Sequence, residues 1–314
     1  MEALLGRGAM GSVYRAREVA TGRAVALKVL QRVDDPRRRR RFEREARLAA
    51  AFDHPGIVKV HSAGTLQGIP YLACELIEGR ELHTLYSEVS LERRVGWLRD
   101  AARALGHAHR RGIVHRDVKG ANLLVDGEGR LRVVDFGVAS ARDVERLTRT
   151  GQWIGTPSHM APEQFGGEAL GPPCDVWALG VELYLAATGR LPFAAESPIE
   201  LAGQVSKAAC PRPRALSSEV SPELEAVILA ALRPDAAERY PDGDALADDL
   251  DRLLAGERPR ACGRRGRRVP LLAAGIFLSA SLLGLLGAFG GAARSAEAAR
   301  LAAVGQAAGA GAPA

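Results

Sequence analysis

An α+β fold followed by a single transmembrane helix is what this sequence predicts. Three observations carry it: a glycine-rich hairpin leading into a buried strand, a helix with a marked start and an apolar face, and a long stretch without charge near the C-terminal end. The hairpin comes first. After Gly6-Arg7-Gly8-Ala9-Met10-Gly11-Ser12-Val13-Tyr14 no helical pattern follows. Ser12 to Arg17 reads as a strand returning from a hairpin, with Thr21-Gly22 as the next turn. Val25-Ala26-Leu27-Lys28-Val29-Leu30 is a short apolar run with one charge, Lys28, and reads as a buried strand. Asp35-Pro36 then marks a helix start, Asp as N-cap and Pro at the first helical position. Phe42, Ala46 and Ala49 give that helix an apolar face. At ~100° per residue, Glu45 lies roughly 60° from the centre of that face and Glu43 roughly 100°. Glu45 is the better partner for a cation on the neighbouring strand, namely Lys28. Arg37 to Arg41 reads as a solvated helix face, not a nucleic-acid patch.

The chemistry concentrates later. His115-Arg116-Asp117-Val118-Lys119-Gly120-Ala121-Asn122, followed by Asp135-Phe136-Gly137, puts a proton acceptor, a cation and two metal ligands into one short stretch. Those groups suit the movement of a phosphoryl group from Mg-ATP to a hydroxyl, which needs positioning and charge neutralisation more than covalent help. Over about residues 5–254 the chain resembles the protein kinases, specifically the eukaryotic-like serine/threonine kinases of bacteria. A glycine-rich loop alone would be weak, because dinucleotide-binding proteins share its spacing. The strand after Gly11, in place of a helix, decides against that reading.

The resemblance implies a bilobal fold with ATP in the cleft. Residues 1–78 would be a β-rich N-lobe; the glycine-rich loop starts five residues from Met1, so either its first strand is truncated or the true start lies upstream. Residues 79–255 would be a helical C-lobe. Gly6, Arg7, Gly8, Ala9, Met10, Gly11, Ser12 and Val13 would cover the phosphates. Lys28 would contact them, paired with Glu45, and Ala26, Glu75 and Leu124 would complete the nucleotide-binding set. Cys74 falls where the family has its gatekeeper. Asp117 would accept the hydrogen bond of the incoming hydroxyl, and Lys119 would offset charge on the moving phosphate. Asn122 and Asp135 would hold Mg2+, with Mn2+ as a substitute, since hard cations prefer such oxygens. Lysine usage adds independent support. The chain has four lysines (Lys28, Lys59, Lys119 and Lys207) and otherwise arginine, yet two of the four fall at the positions where this chemistry asks for a compact ammonium.

Residues 135–163 resemble an activation segment closing with Gly155-Thr156-Pro157-Ser158-His159-Met160-Ala161-Pro162-Glu163. Thr156 would line the substrate pocket and bond to Asp117. Glu163 would pair with Arg239, and Asp175 would brace the catalytic loop. Thr148 and Thr150 match the spacing of the family's autophosphorylated pair. A phosphate there brings roughly −1.5 to −2 charges, and Arg116 would receive it. Two positions depart from the family pattern: Gly120 where proline is usual, and His159 where tyrosine or phenylalanine is usual.

Composition bounds the rest. Four cysteines without a C-x-x-C pair argue against a zinc site or a disulfide frame and fit a reducing compartment. No basic-then-apolar signal peptide opens the chain. Residues 256–268 hold six arginines (Arg258, Arg260, Arg264, Arg265, Arg267 and Arg268), and 269–293 carry no charge, enough for the ~20 residues that cross a bilayer. The arginines place the preceding side, and so the kinase domain, in the cytoplasm of a single-pass cell-membrane protein. They account for the formal net charge of +6, which points to anionic lipid and not to nucleic acid. A small-residue stripe of Ala280, Gly284, Ala288 and Ala292 suggests a homodimer. Residues 294–314 form a short Ala/Gly-rich tail. The expected partners are protein substrates. The rival readings are a pseudokinase scaffold that binds partners without transfer, and a small-molecule kinase, the latter disfavoured by Ala161-Pro162-Glu163.

Overall fold

The computed structural model describes residues 1–8, 11–30, 42, 46, 49–50, 52–136, 157–166, 170–195 and 197–263. The expected transmembrane segment, Arg264 and the other arginines up to Arg268, Ala9, Met10, Glu45, Thr148, Thr150 and Thr156 lie outside them. Met1–Arg264 form one compact unit and Arg265–Ala314 a second. Among the described residues no helix is long and apolar enough to cross a membrane.

The first unit opens with a five-stranded antiparallel sheet in the order β1-β2-β3-β5-β4. Its strands are β1 (Ala3–Gly8), β2 (Gly11–Arg17), β3 (Ala24–Leu30), β4 (Val60–Leu66) and β5 (Ile69–Glu75). The expected helical face before β4 is present and buried: Phe42, Ala46 and Ala49 are helical and nearly inaccessible. Phe42 and Ala46 pack with Leu30 and Leu72 of the sheet. After Glu75 the chain changes partners. β6 (Gly79–Glu81), β7 (Leu123–Asp126) and β8 (Leu131–Val133) form a separate three-stranded sheet. Val58 N–H donates to Val133 O at 3.0 Å, and Val133 N–H to Gly56 O at 2.7 Å. These two bonds fix β8, and so the residues just after it, against the loop that leads into β4.

The remainder is helical, and its ends are capped where the sequence supplies caps. α1 (Leu91–His109) begins at Ser90, whose hydroxyl accepts from Arg93 N–H, with Glu92 in the positive first turn. Short α2 (Pro162–Gly166) precedes α3 (Pro172–Thr188), which has Pro at its start, where no N–H is needed. α3 is buried along almost its whole length, and the two carboxylates it carries, Asp175 and Glu182, are buried with it. α4 (Pro198–Ser206), α5 (Pro213–Leu216), α6 (Pro222–Ala231) and α7 (Gly243–Leu254) complete it. Leu98 and Leu105 of α1, Trp177 and Leu179 of α3, Ile228 of α6 and Leu246 of α7 make the centre of this core. α3 is the post on which the loops of the site are hung.

Candidate active site

Strand register builds the upper wall. Val13 lies opposite Lys28, Lys28 opposite Leu72, and Ala26 opposite Cys74. Directly opposed residues share a sheet face, and faces alternate along a strand. Val13, Ala26, Lys28, Leu72 and Cys74 therefore point the same way. Lys28, Leu72 and Cys74 border a cavity of ≈ 30 Å³ together with Val133, Asp135 and Phe136. At the open end of the hairpin, Gly11 has φ +150°, and a Cβ there would come within 2.1 Å of Val29 O. Only glycine lets that backbone lie so close. Glu75 closes β5: its N–H donates to Lys59 O at 2.8 Å, and its carboxylate meets Arg132 Nη2 at 2.5 Å. Leu124 lies on β7, opposite Arg132 of β8.

The lower wall is a loop held from beneath by one carboxylate. Asp175, fully buried on α3, accepts from His115 N–H and Arg116 N–H, both at 2.7 Å, and from His109 Nε2 at 2.9 Å. Burial alone would push its pKa up. The bonds and charges of His109, then His115, outweigh that and hold it below the ordinary value. Arg116 adopts φ 68° and Asp135 φ 63°. Such left-handed backbone costs about 1–3 kcal/mol per non-glycine residue and persists only when its surroundings over-determine it. For Arg116 those surroundings are Asp175 on its N–H and Gln164 Nε2 on its carbonyl at 3.2 Å. Its Nε is buried and has no hydrogen-bond partner among the described residues.

Asp117, Lys119 and Asn122 converge above this brace. Lys119 Nζ lies 2.9 and 3.1 Å from the two carboxylate oxygens of Asp117. Asn122 Nδ2 donates to Asp117 O at 2.7 Å and to its Oδ2 at 3.0 Å. With its amide nitrogen so engaged, Asn122 Oδ1 is the atom left for a hard cation. His115 is fully buried. Its Nε2 donates to Val134 O at 2.8 Å, and its Nδ1 accepts from Asp117 N–H at 3.3 Å, so one tautomer serves both. Phe136 packs between the rings of Phe52 and His115, at 5.2 and 4.9 Å. That contact anchors the residue following Asp135, whose Oδ2 lies 2.9 Å from Lys28 Nζ.

Below the site, Arg239 forms a two-pronged ion pair with Glu163 at 2.7 and 2.8 Å, its guanidinium 4.9 Å from the Trp177 ring. Of the sequence-predicted residues that are described, Asp117, Lys119 and Asn122 are joined by hydrogen bonds, Lys28, Cys74 and Asp135 border one cavity, and Gly6, Arg7, Gly8, Gly11, Ser12 and Val13 lie on β1 and β2. Sequence reasoning missed His109, which orients Asp175, and Glu182, a wholly buried carboxylate in α3. A lone glutamate in the apolar run Val181-Glu182-Leu183-Tyr184 was the available signal for the second.

The donor set fits ATP and magnesium. A glycine backbone stands at the hairpin, a mostly buried ammonium on β3, and a carboxylate and an amide oxygen suit a hard cation. When bound, Mg-ATP supplies the phosphoryl group; the chain supplies placement and countercharge.

Comparison with known proteins agrees. The family model described as the protein kinase domain matches residues 1–249. The chain is 37% identical over 270 residues to the serine/threonine-protein kinase PknB of Mycolicibacterium smegmatis, covering 82% of this chain and 43% of that protein. It is 36% identical over 269 residues to PknA of Mycobacterium tuberculosis, covering 82% and 62%. It therefore spans less than two thirds of either relative. The crystal structure of the Mycobacterium tuberculosis PknI kinase domain superposes with a TM-score of 0.64 at 28% identity, over 79% of this chain and 93% of that one. By sequence and by fold, this chain belongs to the protein kinase family.

Proposed function

We propose that the chain is an ATP- and Mg2+-dependent serine/threonine protein kinase, of the class that transfers phosphate to protein hydroxyls. The observation that carries this is the Asp117–Lys119–Asn122 cluster, complete and hydrogen-bonded, in one domain with the Lys28–Asp135 pair. Asp117 orients the acceptor hydroxyl, Lys119 offsets charge on the transferred group, and Asn122 and Asp135 hold the cation. Phosphorylation of Thr148 or Thr150 activates the enzyme by giving Arg116 an anion; the buried Nε of Arg116, which has no hydrogen-bond partner among the described residues, supports this.

The reading extends to location. Residues 269–293 anchor the chain in the cell membrane as a single span, with the kinase domain cytoplasmic. The arginines at 258–268 contact anionic lipid, and the small-residue stripe pairs two copies. The uncharged composition and the flanking arginines support this. Extraction of the expressed chain from membranes by alkaline carbonate, without detergent, would rule out the span.

Catalysis is tested by the intact mass of the full chain after Mg-ATP, beside Asp117→Asn. Added phosphate in the wild type alone, mapping to Thr148 or Thr150, is the expected result. No phosphate in either would favour a scaffold that binds without transfer.

A further inference from the structure

The two departures from the family pattern, Gly120 and His159, meet on one buried side chain. Glu182 lies on α3 between the buried residues Val181 and Leu183 and is itself fully inaccessible. Its Oε1 accepts from Gly120 N–H at 2.5 Å and from His159 Nε2 at 2.8 Å. Its Oε2 accepts from Tyr86 O–H at 2.9 Å. Ser158 Oγ, 3.1 Å from His159 Nδ1, occupies the other ring nitrogen. Proline at 120 would have no N–H to give, and phenylalanine at 159 would have no donor. The site also excludes a side chain at 120, where a Cβ would lie 2.7 Å from His83 Nδ1. The carboxylate is thus satisfied from three directions, as a buried charge must be. Burial opposes its ionised form, but His159, Tyr86 and Gly120 together hold its pKa below the ordinary value.

Its partners belong to different working parts. Gly120 directly follows Lys119 in the loop that carries Asp117. His159 ends the turn Pro157–His159, which leads into Ala161-Pro162-Glu163. We propose that Glu182 is a positioning residue: through His159 and the Gly120 N–H it locks the turn that receives the protein acceptor to the loop that carries Asp117 and Lys119. The inference rests on the kinase reading, but that reading does not require it.

The test uses the full chain with Mg-ATP and two acceptors: a peptide library with a fixed central threonine, and the chain's own threonines read by mass. His159→Phe should lower kcat/KM for the peptides about 10- to 100-fold, while KM for ATP stays within about twofold of wild type. His159→Gln, which keeps a side-chain N–H, should recover most of the loss. The double variant His159→Phe/Glu182→Leu removes the stranded charge and should regain thermal stability without regaining acceptor kcat/KM. Recovery of both together would reduce Glu182 to a packing residue and overturn the proposal. So would a wild-type acceptor kcat/KM in His159→Phe. A wild type inactive on both acceptors would sink the kinase reading, and this inference with it.

Discussion

Lys28 Nζ lies 2.9 Å from Asp135 Oδ2. The one cation of the β3 apolar run and the carboxylate after β8 neutralise each other across the cavity they share. The helix pattern nominates Glu45 for Lys28; Glu45 lies outside the described residues, and Asp135 is the partner on view. Lys28→Met should cut phosphoryl transfer by about 10²–10³-fold, the usual cost of removing one preorganised charge stabiliser. Lys28→Arg should not restore it, because a planar guanidinium does not replace a compact, mostly buried ammonium. Transfer rates beside the melting temperature check both. A full loss of transfer with a collapsed fold would not count as support.

The Arg239–Glu163 pair should behave as structure, not chemistry. Arg239 is almost wholly buried, stacked on Trp177, and bonded also to the carbonyls of Arg233, Pro173 and Pro234. Removing one partner of a buried pair strands the other and costs about 3–5 kcal/mol. Arg239→Ala should therefore lower urea stability by about that much. A loss near zero would show that the pair is solvated.

Acid should loosen the join between α1 and the loop that leads into β4. His54 and His107 approach with ring centroids 4.9 Å apart. Burial first, then mutual repulsion for His54 and nearby Arg110 and Arg111 for both, push each pKa below its ordinary 6.5; Asp100 and Asp53 oppose this weakly. His54 Nδ1 already accepts from Gly56 N–H at 3.0 Å, a bond that protonation there would forfeit. A histidine depressed in the folded state binds fewer protons there than when unfolded. Its stability contribution is present above pH 6.5 and is lost as pH falls through the folded value. The melting temperature should fall as the pH drops below 6.5, and less steeply in His54→Asn. Equal slopes in the two proteins would contradict the assignment.

How much of this could be read in advance depended on how local each signal was. Asp117, Lys119 and Asn122 sit within one short loop, so spacing alone grouped them. Lys28 stood out as a single charge in an apolar strand, and Phe42, Ala46 and Ala49 as one helical face. The cross-strand register that puts Val13, Lys28 and Leu72 on one face depends on pairing between segments 15 and 44 residues apart, which periodicity does not reveal. Glu182 was harder still. Its three donors come from three separate turns, and only the folded chain brings His159 and Gly120 to the same oxygen.

Cys74 should be chemically silent in the native chain although it borders the cleft. Burial pushes its thiol up to about 12, the nearby Asp135 carboxylate adds to this, and Lys28 only partly offsets it. The thiolate is the reactive form. At pH 8 a thiol with that pKa is ionised only about one part in ten thousand. Iodoacetamide should therefore leave Cys74 unmodified while the chain is folded and label it once urea unfolds the sheet. Peptide mass spectrometry, before and after unfolding, reads this directly. Rapid native labelling of Cys74 would mean that the wall formed by Leu72, Phe136 and Lys28 opens to solvent on the timescale of the reaction, and that the small cavity is a gate into the domain and not a closed back wall.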